Sequence, residues 1–228
     1  MIFTAKEGEV TALVGPSGSG KSTCARLAAR LWDIDSGTIK VGGVNIAEVD
    51  PETLMTDYSM VFQDVVLFDD TVMENIRLGR HGAADEEVRA AARAANCDEF
   101  VDKLPQGYHT PIGENGARLS GGERQRIAIA RALIHDPRIL ILDEATAAMD
   151  NETEKQISAA IDKLIEGRTT ISIAHRLPTL KNCNYIMAIE HGELVEMGTA
   201  EELLERKGVY YNLYTLQNEQ MNRVMQGL

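Results

Sequence analysis

A chain of 228 residues, 44% apolar and 25% charged, is long enough to bury a sizeable core and has the composition of an ordinary globular protein. Its formal net charge of −12, with no cluster of Lys and Arg, argues against a nucleic-acid surface, and such acidity reads first as solubility. No apolar run approaches the ~20 residues needed to span a bilayer, and the opening MIFTAKEGEV lacks the basic and long apolar regions of a signal peptide, so this chain is expected to be soluble by itself.

In chain order, residues 2–14 read as two strands, IFTAK and VTALV, parted by a turn at Glu7–Gly8–Glu9. A Gly-rich loop over 15–22 leads into a helix over 22–32 with Leu27 and Leu31 on one face. SGTIKVGGVNI (36–46) alternates as a strand pair about Gly42–Gly43, and SMVFQD (59–64) is a further strand. The stretch from about 71 to 135 is mostly helical, and DEEVRAAARAANCDEFVDKL is rich in Ala with helical periodicity. RILILDE (138–144) and RTTISIAH (168–175) read as buried parallel strands around the helix NETEKQISAAIDKLI. YIMAIEHGELVEMG (185–198) is a hairpin turning at His191–Gly192, and Thr199 caps the helical C-terminal end. Cys24, Cys97 and Cys183 are scattered without metal-ligand spacing, which suits structural thiols in a reducing compartment.

Gly15, Gln63, Asp143–Glu144 and His175 all fall at or just past the C-terminal end of an expected strand, the edge where open parallel α/β sheets bind ligands. GPSGSGKS (15–22) fits the phosphate-loop pattern G-x-x-x-x-G-K-[ST] between a strand and a helix. Such a pattern arises by chance in a chain of this length at a rate of roughly one in a hundred. Its backbone from Gly15, Pro16, Ser17, Gly18, Ser19 and Gly20 through Thr23 would wrap phosphate oxygens. Lys21 would reach the β- and γ-phosphates, and the Ser22 hydroxyl would face Mg²⁺. Asp143, ending the buried strand ILILD, is a candidate metal holder through water, and Glu144 a candidate general base. LSGGERQR (119–126) supplies a second phosphate-ready helix start: Ser120 caps it, Glu123 completes a capping box, and Gly121 and Gly122 leave the N–H groups uncovered.

These motifs, in this order, resemble the nucleotide-binding domain of ATP-binding-cassette (ABC) transporters over essentially the whole chain. GPSGSGKS is similar to Walker A, Gln63 in VFQD to the Q-loop, LSGGE to the signature, ILILDE to Walker B, Asp150 to the D-loop aspartate and His175 to the switch histidine. FQDVVLFDDTVMENIRLG (62–79) and IGENGARLSGGERQRIAIARAL (112–133) resemble the exporter type, in which the segment after the Q-loop meets the membrane subunit and the Glu114 region communicates across a dimer. The D-loop AAMD departs from the family's serine-containing form at Ala148.

The resemblance implies an α/β P-loop NTPase core with a mostly parallel sheet, over about 1–70 and 136–228, carrying an antiparallel β subdomain. A helical subdomain would be inserted over about 71–135. It also implies a Mg²⁺-dependent ATPase: Glu144 as base, His175 holding the γ-phosphate, Gln63 contacting Mg²⁺ and water, and Lys21 on the phosphates. Ser120 with the Gly122 backbone would close over the ATP of a second such domain, in a homo- or heterodimer. The expected setting is the cytoplasmic face of a membrane, joined to a membrane domain normally fused upstream. The family's adenine-stacking aromatic has no comfortable match here, since Phe3 lies too close to the loop, so the native protein is expected to extend N-terminally. Ser120 and Gly122 of a lone chain are expected to face solvent. The competing readings are a soluble ABC-type ATPase without a membrane partner and a poorly hydrolysing regulatory subunit.

Overall fold

The computed structural model describes residues 1–143, 151–174, 180 and 182–225, with the side chains of 151 and 220–225 excepted. Its strands are β1 (Val10–Val14), β2 (Lys40–Val41), β3 (Val44–Asn45), β4 (Tyr58–Val61), β5 (Ile139–Asp143), β6 (Thr169–Ile173), β7 (Tyr185–Glu190) and β8 (Glu193–Gly198). The helices are α1 (Lys21–Ala28), α2 (Pro51–Asp57), α3 (Val72–Arg77), α4 (Asp85–Ala94), α5 (Asp98–Val101), α6 (Gly121–His135), α7 (Asn151–Ile165), α8 (Ala200–Arg206) and α9 (Val209–Met225). Six strands form one sheet in the order β4-β5-β6-β1-β7-β8, and β2 and β3 pair separately as an antiparallel ribbon. β1 runs parallel to both β6 and β7, whereas β7 and β8 are antiparallel. This is the mostly parallel α/β architecture with a small antiparallel ribbon that the motifs imply.

The chain divides into two compact units: Met1–Tyr58 with Ile141–Asp143 and Gly167–Leu228, and Ser59–Leu140 with Glu144–Glu166. In the first, β1 is buried at all five positions, as a strand flanked by parallel neighbours must be. Ala12, Val14, Ile186 and Ala188 pack there with Leu203 and Tyr210 of the C-terminal helices. In the second, α6 is the central element, packing against α3, α4 and α7. Ile127, Ile129 and Ala130 on α6 and Ile157 and Leu164 on α7 are buried.

Three expectations need correction. Residues 2–6 form no strand; Ile2 is almost fully exposed and has no core to enter. The first helix stops at Ala28 because Arg30 turns left-handed, φ 53°, which leaves Leu31 and Trp32 half exposed. The Ala-rich run is helical as expected, and it is divided into two helices where Asn96 takes φ 58°. Asn tolerates that conformation better than most residues, and its side chain ties the break to the Gln156 carbonyl at 2.9 Å. The 36–46 pair is confined to two residues per strand. The hairpin turns at His191–Gly192 as expected, both residues having positive φ in the manner of a type I′ turn.

Candidate functional site

The loop between β1 and α1 folds around its own lysine. Lys21 is buried, and its Nζ donates to the carbonyls of Gly15 and Pro16, each at 2.9 Å, and to Ser19 Oγ at 3.4 Å. A buried cation needs such partners; here they hold the charge inside the loop rather than in solvent. Gly15 is obligatory by close approach: a Cβ there would collide with the Ile189 carbonyl oxygen. Pro16, Ser17 and Gly18 form the exposed rim, Ser19 is buried, Gly20 and Ser22 are half-buried and Thr23 is exposed.

The N-terminus of α1 has Gly20 in the capping position with no side-chain cap, and no acidic residue in its first turn. Its positive end is therefore left for an external anion. Asp143 ends β5 half-buried. A hydroxyl and a carboxylate are the hard oxygen donors that Mg²⁺ takes, so Ser22 and Asp143 fit that ion by donor chemistry. Among the described residues no cluster of three His, Cys, Asp or Glu side chains could hold a metal.

The second helix start belongs to the other unit and is built differently. Ser120 Oγ accepts the Glu123 N–H at 3.3 Å while Glu123 Oε2 accepts the Ser120 N–H at 2.7 Å, a complete capping box. With the Ser120 oxygen accepting from Glu123, its hydroxyl proton is still available as a donor. Ser120 is exposed as expected and Gly121 is exposed beside it, but Gly122, expected to face solvent, is buried, because it begins the face of α6 that enters the helical core. Gln63 is exposed, two residues past the end of β4. Glu144, Asp150 and His175 lie outside the described residues.

Sequence reasoning passed over several supports. Ser19 is fastened by its carbonyl to the Gly192 N–H at 2.8 Å. Gln125, in the second half of LSGGERQR, is buried and donates to the Phe62 carbonyl beside Gln63 at 3.5 Å. Arg126, also buried, donates to the Asn96 carbonyl at 3.0 Å and to Gln156 Oε1 at 2.6 Å, and pairs with Glu99 at 3.2 Å. Buried polar groups must find partners, but nothing in the sequence sets Gln125 and Arg126 apart from the other polar residues of α6, Glu123, Arg124, Arg131 and His135.

The thiols are not part of this chemistry. Cys24, Cys97 and Cys183 form no disulfide with one another. Burial pushes Cys183 up to about 12 and Cys97 higher, which leaves neutral, unreactive groups.

Comparison with known proteins bears on this geometry. The family profile described as "ABC transporter" matches residues 1–147. The chain is 50% identical over 216 residues to an ATP-dependent lipid A-core flippase of Dechloromonas aromatica, covering 94% of this chain and 37% of the relative. It is likewise 50% identical to the flippase of the same name from Bordetella avium, covering 36% of that protein. A bacterial Atm1-family ABC exporter solved with ATP bound superposes with a TM-score of 0.89 at 46% identity, over 94% of this chain and 38% of the other. The chain thus spans little more than a third of the length of the relatives it matches. No helix among the described residues is long and apolar enough to cross a membrane. With a profile covering more than half of its residues and an ordered set of phosphate-loop and signature motifs, the chain belongs to the ABC transporter family as an exporter-type nucleotide-binding domain.

Proposed function

We propose that the chain is the ATP-hydrolysing motor domain of a membrane exporter and works as a head-to-tail pair with a second such domain. The observation that carries this reading is the inequality of its two helix starts. The α1 start is uncapped and has the buried Lys21 in its loop, whereas the α6 start is self-capped, exposed and without a lysine in its first turn. The first suits a nucleotide of its own; the second suits the γ-phosphate side of a nucleotide held by a partner. Half of each composite site then comes from each chain, and ATP joins the two.

In the reaction, water attacks the γ-phosphorus, the bond to the β–γ bridging oxygen breaks, and ADP and phosphate leave. Lys21 and the loop N–H groups compensate the charge on the phosphates. Glu144 takes the proton of the attacking water, His175 holds the γ-phosphate, and Gln63 positions the water. Ser22, Gln63 and Asp143 would hold Mg²⁺, which would supply charge compensation to the phosphates. Residues 71–135 act as a helical subdomain on an NTPase core formed by 1–70 and 136–228. The exposed apolar side chains Val66 and Phe68, within 62–79, meet the membrane domain at the cytoplasmic face. The flippase and exporter relatives support that partner over a free-standing ATPase.

The test is ATP turnover measured over a range of chain concentrations, with Glu144→Gln in parallel. A composite site gives specific activity that rises with concentration, and a Glu144→Gln chain that dimerises with ATP but turns over at least about a hundredfold more slowly. Specific activity independent of concentration, or wild-type turnover in Glu144→Gln, would overturn the reading.

A further inference from the structure

We infer that Asn75 and Arg131 are positioning residues that bolt the exposed Val66–Phe68 ridge to α6, so that movement of the ridge is passed to the Ser120 turn. The inference rests on the proposed roles of the ridge and of Ser120, and adds the device that connects them.

The ridge alternates: Val66 is 65% exposed, Leu67 4% and Phe68 58%. Its two outward side chains contribute nothing to the core, yet its backbone is gripped at every residue. The Val66 carbonyl accepts from Arg131 Nη1 at 3.1 Å. The Leu67 N–H donates to Asn115 Oδ1 at 3.1 Å. The Phe68 N–H donates to Asn75 Oδ1 at 2.9 Å, and its carbonyl accepts from Asn75 Nδ2 at 3.0 Å. Asn75 therefore pairs with Phe68 as a neighbouring strand would, through one side-chain amide.

Asn75 is fully buried and its amide is saturated. Nδ2 also donates to the Thr71 carbonyl at 3.0 Å, and Oδ1 also accepts from Arg131 Nη2 at 3.3 Å. Arg131 Nε completes the joint on the Asn75 carbonyl at 2.9 Å. All three acceptors of this half-buried guanidinium are carbonyl oxygens, so it serves as a rigid three-pronged brace rather than as half of an ion pair. Behind it, α3 meets α6 without a spacer: a Cβ on Gly79 would collide with the Arg131 carbonyl.

The two grips on α6 and its approach flank Ser120. Asn115 lies five residues before it, in a left-handed turn at φ 50°, and at the next residue, Gly116, an added Cβ would stand only 2.8 Å from Leu67 Cδ1. Arg131 lies eleven residues after it, about 16 Å along the helix axis. A ridge held only for stability would bury its side chains; this one is held by its backbone and presents them outward. Fully satisfied polar joints of this kind are rigid and direction-specific.

Reciprocal amide exchange on the 228-residue chain tests the coupling, because an energetic link must act in both directions. Asn75→Asp replaces a donor by a carboxylate facing the Phe68 carbonyl, Arg131→Lys removes the fork with charge retained, and Glu123→Ala opens the capping box. The first two are expected to speed exchange at Gly121–Glu123 at least fivefold, and Glu123→Ala to speed it at Leu67 and Phe68, with affinity for a fluorescent ATP analogue at the Lys21 loop within twofold of wild type. Turnover at saturating ATP should fall about tenfold in both clamp variants.

Exchange effects confined to the altered end in each case would overturn the inference. If Asn75→Asp fails to fold, the Arg131→Lys and Glu123→Ala pair decides by itself. Should wild-type turnover prove independent of concentration, the motor reading fails, while the exchange data still judge the joint.

Discussion

The N–H of Gly192, at the tip of the β7–β8 hairpin, donates a 2.8 Å hydrogen bond to the carbonyl of Ser19 inside the phosphate loop. The hairpin thereby holds the loop from outside, and Ile189 at the end of the same strand crowds Gly15. Gly192 has φ 80° and open space where a Cβ would go, so a side chain there is resisted by backbone conformation alone. A β-branched residue at such a φ costs about 1–3 kcal/mol. Gly192→Val should therefore tilt the hairpin tip and weaken ATP binding roughly tenfold. Equilibrium binding of a fluorescent ATP analogue measures this, and unchanged affinity with a lowered melting temperature would show that the hairpin only supports the sheet.

The Ser120 cap separates folding from function in one position. Asp is as good an N-cap as Ser, whereas Ala costs about 1 kcal/mol. Ser120→Asp should keep the melting temperature within about 2 °C of wild type, while Ser120→Ala lowers it by several degrees. If Ser120 faces a partner's γ-phosphate, the carboxylate of Ser120→Asp repels that anion, and turnover falls at least about a hundredfold. Monomer affinity for ATP at the Lys21 loop should be unaffected. Full turnover in Ser120→Asp would remove Ser120 from the composite site.

Much of this was legible in the sequence, and for physical reasons. A short apolar run rich in Ile and Leu, Ile139–Leu142, ending in Asp143 reads as a buried strand with an acidic tip, and Ser120 with Glu123 announces a helix start at its own residues. The His191–Gly192 turn was readable because a two-residue hairpin demands positive φ. The break at Asn96 was not, since an Ala-rich periodic run carries no local reason to stop. The reason is tertiary: Arg126 and Gln156 take the polar groups that the break exposes. The burial of Gly122 escaped notice because the motif advertises exposed N–H groups without saying which face of α6 turns inward. The Asn75–Arg131 joint was equally hidden, as its partners are main-chain carbonyls and leave no charge pattern to read.

Acid should loosen the start of α4 before the rest of the second unit. Arg77, hydrogen-bonded at 2.7 Å, holds the Asp85 carboxyl below its usual range; the Ala84 N–H, then Arg80, do the same for Glu87. A carboxylate depressed on folding stabilises the fold above its unfolded value of about 4, and that contribution disappears as pH falls through the folded pKa. Amide exchange across residues 85–88, corrected for intrinsic rates, should rise more below pH 4 than in α6. Asp85→Asn should show faster exchange at pH 7 and a weaker response to acid. A pH response equal to wild type in that variant would place the sensitivity elsewhere.

Lys21 is the sharpest single test of the phosphate loop. Its Nζ occupies a closed position against the Gly15 and Pro16 carbonyls and Ser19 Oγ, with 4% of the residue exposed. A guanidinium is a planar fork rather than a point charge, so Arg cannot take that place without displacing the loop. Lys21→Arg is therefore expected to fail as a replacement despite keeping the charge. Both Lys21→Arg and Lys21→Met should lower ATP affinity at least about tenfold and abolish turnover. Lys21→Met should do so with the smaller loss of melting temperature, because a flexible apolar chain fills the vacated space. Binding titrations alongside thermal unfolding distinguish the two effects. Near-wild-type affinity in Lys21→Arg would mean that charge alone, without the geometry of the folded loop, is what the nucleotide requires.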